Sequence, residues 1–202
     1  MNVEAKAAVA RKPRADGQRN RERLIEAAKA AFAEVGADIS LEEIARRAGV
    51  GIGTLYRHFP TRDAIVEAVY RREVDQLAGS ATRLLAALQP GEALRQWMRL
   101  FVDYIATKKV LGSALSAMVG GSTDLYATSW ARISGAMSLL VGQAAAAGDI
   151  RVGADPADLL SALAGFTYGA ASPDWQASAL RLIDILMDGL RPSREDRDPL
   201  RG

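Results

Sequence analysis

The sequence predicts an all-α fold. Apolar residues recur at helical spacing through almost every segment, Ala and Leu dominate, and no stretch alternates convincingly with period two. About nine helices fit the 202 residues without a long structureless loop.

The first helix is expected from about Gln18 to Val35, with Leu24, Ala28, Ala31, Phe32 and Val35 on one face and Gly36 as its stop. Ser40 and Glu43 then form a capping-box pattern, and Ile39 with Ile44 a hydrophobic staple, opening a short helix from Leu41 to about Arg47 that ends at Gly49. A third short helix spans about Ile52 to His58 and stops before Pro60. Thr61 caps a long helix towards Leu88, with Gly79-Ser80 a place for a bend. Beyond Pro90-Gly91, helices are expected over Glu92–Thr107, Val110–Val119 and Thr123–Ala147. Asp155 caps the next, with Pro156 at its first position, and it runs through Gly169. The last covers about Asp174 to Leu190, followed by a charged, frayed tail from Pro192.

Composition removes many functions. The chain has no cysteine, which excludes disulfides, thiol nucleophiles, Fe–S clusters and Cys-based zinc sites. A single histidine excludes paired-His metal motifs, and neither a metal nor a cofactor is expected. With 26 Lys plus Arg against 24 Asp plus Glu the formal charge is only +2, so its distribution matters more than its size. Residues 1–63 hold 12 basic and 9 acidic side chains, net +3, and the remainder is net −1. Residues 1–23 alone hold 7 basic and 3 acidic, which suits either a small domain that meets a polyanion or a solvated basic tail. The longest uncharged runs, Ile133–Gly148 and Leu159–Pro173, hold 16 and 15 residues. Both fall short of the ~20 needed for a membrane span. No secretory signal is read at the start, so a cytoplasmic protein without membrane contact is expected.

The informative segment is LEEIARRAGVGIGTLYRH, residues 41–58. Two short helices meet across a tight turn at Gly49; small Ala45 permits close approach, and Ile44, Ala48, Val50 and Leu55 supply a shared core. The spacing is that of a helix-turn-helix, although an ordinary helical hairpin would pack the same way. The second helix tips the balance. Gly51, Gly53, Thr54, Tyr56, Arg57 and His58 offer small or hydrogen-bonding groups where a bundle helix usually shows Glu, Lys or Gln, and such groups suit phosphates and base edges. Gly51-Ile52-Gly53 begins like a dinucleotide fingerprint, but Tyr56 stands at the third glycine position and no strand precedes it.

The run AAKAAFAEVGADISLEEIARRAGVGIGTLYRHFPTRDAIVEAV closely resembles the DNA-binding domain of tetracycline-repressor (TetR) type regulators, over about residues 18–70. The resemblance implies a homodimer that reads two operator half-sites and carries a C-terminal domain for a small inducer. Carried over by position, it implies DNA contacts from Thr54, Tyr56 and His58, and a phosphate contact from Ser40. Arg62 stands where the family usually has a Lys that meets phosphate, and Ile52 and Gly53 stand where some members read bases. The expected organisation is a disordered basic arm at 1–17, a helix-turn-helix domain at 18–63, a ligand-binding and dimerisation domain at 64–191, and a flexible tail at 192–202.

In the C-terminal half, Ser161, Gly165 and Gly169 recur every four residues, and the last helix carries Ala179, Leu182, Ile183, Leu186, Met187 and Leu190. The two stripes fit either a four-helix dimer interface, with Ser161, Gly165, Gly169, Leu182, Leu186 and Leu190 at the contact, or packing within one chain. Aromatic and sulfur side chains concentrate between Trp97 and Trp175. Phe101, Tyr104, Met118, Trp130, Met137 and Phe166 are the candidate lining of an apolar inducer pocket. The expected function is a ligand-responsive DNA-binding repressor and not an enzyme. Two alternatives remain, a constitutive DNA-binding regulator and a small helical enzyme using Ser113, Ser116, Asp103 or Asp124; the latter lacks any nucleophile-elbow or phosphate-loop motif.

Overall fold

A computed structural model describes residues 4–118, 123–168 and 173–192, with the side chains of 4–14 and 168 left out. Among the described residues there are eight helices and no strand: α1 (Glu4–Val35), α2 (Leu41–Ala48), α3 (Ile52–His58), α4 (Arg62–Ala87), α5 (Pro90–Ala117), α6 (Thr123–Ala146), α7 (Pro156–Tyr168) and α8 (Trp175–Gly189). The all-α expectation holds. The count falls from nine to eight because the two helices expected on either side of residues 108–109 are one. No Gly or Pro interrupts that junction, and Lys108 lays its ammonium over the Tyr126 ring at 5.1 Å. The first helix begins at Glu4, inside the stretch expected to form an arm, where EAKAAVARK consists mostly of strong helix formers.

Two compact units divide the chain. The first comprises Met1–Arg71 with Lys109–Ser122, the second Arg72–Lys108 with Thr123–Gly202, so α4 and α5 each contribute to both.

In the first unit α1, α2 and α3 pack against one another. Leu24, Ala28, Ala31 and Phe32 of α1 are buried with Ile44, Ala45 and Ala48 of α2 and Leu55 of α3. Full burial of each large apolar side chain there is worth about 1.5–3 kcal/mol. Val35, expected on the same face, is 61% exposed, one residue before the chain leaves the helix at Gly36 (φ 101°).

The second unit packs α6 on α7 and α7 on α8. Specific polar contacts tie it together. Asp184 of α8 accepts from Arg99 at 2.9 Å and Arg95 at 2.5 Å, both on α5, and these guanidinium groups, Arg99 foremost, hold its carboxyl below the usual range. Asp149 Oδ2 accepts from the Gly91 amide at 2.7 Å, satisfying one of the orphan donors at the start of α5. Asp155 caps α7 as expected, its Oδ1 accepting from the Ala157 amide at 2.7 Å.

Candidate nucleic-acid interface

The helix-turn-helix is built by local signals. Ser40, in extended backbone (φ −69°, ψ 150°), accepts from the Glu43 amide at 3.1 Å and starts α2. The capping box is only half realised, since Glu43 turns its carboxylate to Arg46 (2.7 Å) and Arg47 (2.8 Å). Two guanidinium groups outcompete one backbone amide, and they lower the Glu43 pKa to about 2. The staple residues Ile39 and Ile44 are both buried.

At the other end, Gly49 adopts the left-handed conformation (φ 63°, ψ 38°), and the Val50 amide reaches back to Ala45 O at 3.1 Å. That turn aims α3 outward. Leu55 and Phe59 anchor it inside, with Arg21 stacked over the Phe59 ring at 5.3 Å. Opposite them, Gly51, Ile52, Gly53, Tyr56 and Arg57 are exposed, and Thr54 and His58 are half-buried. Ile52 is 38% and Tyr56 45% exposed, so both side chains are accessible on this face. A Cβ at Gly51 or Gly53 would meet open space, so the backbone on either side of Ile52 is open at the start of α3. Arg57 projects beside it, its Nε donating to Gly53 O at 3.3 Å.

The structure thus brings Ile52, Gly53, Thr54, Tyr56, Arg57 and His58 onto one short helix, and sets Ser40 at the start of α2. Arg62 is engaged otherwise: its guanidinium donates to the carbonyls of Ala37, Asp38 (3.1 Å) and Ile39. Composition did not single out Arg21 or Arg23. Arg23 Nη2 donates to Ala48 O and to Gly49 O (3.0 Å), a contact about 25 residues away in sequence that no local pattern announces.

In the second unit, Phe101 and Tyr104 touch, ring centroids 5.7 Å apart, and both are buried, as is Met137. Phe166 is half-buried and Trp130 is 52% exposed; Met118 belongs to the first unit. Of the residues expected at a dimer contact, Ser161, Gly165 and Leu182 are exposed, and Leu186 is half-buried. Leu190 is buried within its own chain, and Gly169 lies outside the described residues. Ile185, not singled out from the sequence, is 66% exposed on the same helix as Leu182. Among the described residues no group of three or more His, Asp or Glu is placed to hold a metal ion, and no helix is long and apolar enough to cross a membrane.

An all-helical chain that carries an exposed recognition helix on a helix-turn-helix defines the class of helix-turn-helix transcriptional regulators. Comparison with known proteins narrows it. Residues 24–69 match the family of bacterial regulatory proteins, tetR family, and residues 89–192 match the SbtR-like transcriptional regulator C-terminal domain. The chain belongs to the TetR family of transcriptional regulators, which are not enzymes. A TetR transcriptional regulator from Streptomyces coelicolor is 48% identical with a TM-score of 0.78, the match covering 86% of this chain and 99% of that one. A TetR transcription regulatory protein from Mycobacterium vanbaalenii is 37% identical with a TM-score of 0.74, covering 89% and 99%. An HTH-type transcriptional regulator of Staphylococcus aureus is 41% identical over 103 residues, 50% of this chain and 54% of that protein. The chain therefore spans about half the length of the curated relatives it matches.

Proposed function

We propose that this protein is a cytoplasmic repressor that binds a palindromic DNA operator as a homodimer and is released by a small, mostly apolar inducer. The observation that carries the DNA reading is the outward face of α3. Tyr56, Thr54, Arg57 and His58 supply donors for phosphate and base edges, and Ile52 with Gly53 supplies an apolar, low surface for thymine methyls or groove shape. Ser40, at the start of α2, is the matching hydroxyl for a phosphate.

One short helix supplies little specificity, so two copies about 34–36 Å apart would read successive major grooves. Ser161 and Gly165 on α7 with Leu182, Ile185 and Leu186 on α8 are the dimer face this reading uses. Phe101 and Tyr104, with Met137, Phe166 and Trp130, are the residues of the second unit from which an inducer pocket would be drawn. An inducer acts by preferring a conformation with the wrong helix spacing, and it shifts the population only by its differential affinity.

Gel-shift titration on the promoter region flanking the gene, at moderate salt, tests the reading; no specific shift there overturns it. Burial of Phe101, Tyr104 and Met137 in the core favours a second reading, a constitutive regulator without inducer. Tight operator binding combined with no stabilisation across an apolar ligand library in a thermal-shift screen would select it.

A further inference from the structure

The first residue of α4 is already engaged with backbone carbonyls. Arg62 spreads its guanidinium over three successive carbonyls, Ala37, Asp38 and Ile39, which form the loop between Gly36 and the α2 cap residue Ser40. Arg23 of α1 does the same at the far end of α2, donating to Ala48 O and Gly49 O. Helix α2 is therefore bracketed by two guanidinium groups, one from α1 and one from α4. Arginine suits the role: its planar fork offers five donors in fixed directions, whereas a lysine ammonium is a point charge with three and does not reproduce that geometry.

We propose that Arg62 is a positioning residue: it ties the start of α4 to the loop that sets Ser40 and the N-terminus of α2, and acts on DNA affinity through that loop. The proposal rests on the reading that the first unit binds DNA. It also gives displacement of α4 a direct mechanical consequence, because its first residue cannot move without pulling on the backbone that carries the α2 cap.

The test uses the full chain and a duplex enriched by the wild-type protein from a random library. Three readouts are taken. In the wild type, side-chain ¹⁵N–¹H signals of Arg62 are expected to be resolved in the free protein and unmoved by duplex. Arg62→Lys is expected to bind roughly tenfold more weakly, the loss of about one charge-assisted hydrogen bond. Arg62→Gln, which removes the charge, should leave the salt dependence unchanged, whereas a lost phosphate contact lowers the slope by about 0.9. The Glu43 amide, held by Ser40, should exchange faster in the free variant. Arg62 signals that sharpen only on adding duplex, or an Arg62→Lys protein that binds as tightly as wild type, overturn the proposal. If the wild type enriches no duplex, the DNA reading fails separately, and the free-protein spectra still decide whether the clamp exists. Those spectra need no variant, so an Arg62→Lys chain that failed to fold would not protect the idea.

Discussion

The indole Nε1 of Trp97 donates to the carbonyl oxygen of Leu77 at 2.9 Å, joining α5 to α4 within the second unit. Trp97 is wholly buried, and the same carbonyl accepts from Ser80 Oγ at 2.7 Å, so the bond closes a small polar node inside an apolar core. Trp97→Phe keeps an aromatic ring, removes the donor and leaves a void where the second ring lay. The lost bond and the void together should cost about 1–3 kcal/mol. Urea unfolding should show a lower midpoint at an unchanged slope. An unchanged midpoint would mean that water or repacking replaces the indole at no cost.

At the turn between α2 and α3, conformation and space act together. Gly49 sits at φ 63°, and a Cβ there would lie 2.8 Å from Arg23 Nη2, the group that closes the turn. Gly49→Ala must accept the left-handed penalty of about 1–2 kcal/mol and also push the guanidinium away from its carbonyls. Thermal melting should fall by several degrees, and DNA binding should weaken beyond what the lost stability explains, because α3 leaves that turn. A variant that melts like wild type would show the turn to be softer than its geometry implies.

Glu43 makes stability depend on acid. Its pKa is lowered from 4.5 to about 2 by hydrogen bonds first from Arg46 and then from Arg47. Between those values the unfolded chain takes up a proton that the folded one refuses, so stability rises with pH across that window. The contribution is fully present above about pH 4.5 and is lost as pH falls through 2. Urea midpoints measured from pH 2 to pH 6 should therefore rise less steeply for Glu43→Gln than for the wild type; superimposable profiles would contradict the assignment.

How much of this was legible follows from the range of each interaction. The starts of α2, α4 and α7 were readable because Ser40, Thr61 and Asp155 act on amides two or three residues away. The outward face of α3 was readable for the same reason, a seven-residue pattern of small and polar groups around Leu55. What was not readable lies at long separation. Arg62 matched a family position for phosphate, and only the fold reveals three carbonyls some 23 to 25 residues upstream already holding it. Similarly, a helical stripe at α8 cannot say which of its flanks turns inward: Leu190, just past its end, is buried and Ile185 is exposed.

Arg57 is the exposed cation on α3, the group that the proposed operator reading sets against a phosphate. Arg57→Gln should weaken binding by a similar factor on different duplexes, and it should reduce the slope of log K against log salt by about 1. Tyr56→Phe, which removes only a hydroxyl, should lower affinity with little change in that slope. Anisotropy titrations at several salt concentrations separate the two. Loss of sequence preference in Arg57→Gln without a change of slope would assign Arg57 to a base edge instead.

The proposed dimer face can be tested without touching the core. Leu182 and Ile185 stand one turn apart on the exposed side of α8, while Ile183 and Met187 hold that helix to its own unit. A two-fold contact presents each residue twice, so a charge placed there is buried in both copies, and desolvating it costs more than the apolar contact returned. Leu182→Glu with Ile185→Glu should sediment as a monomer while keeping the wild-type far-UV spectrum. Operator affinity should fall sharply in the same protein, because a single recognition helix then binds one half-site without the gain of a linked second. A double variant that stays dimeric would move the interface off α8, and one that turns monomeric yet binds DNA undiminished would break the link between two-fold symmetry and operator recognition.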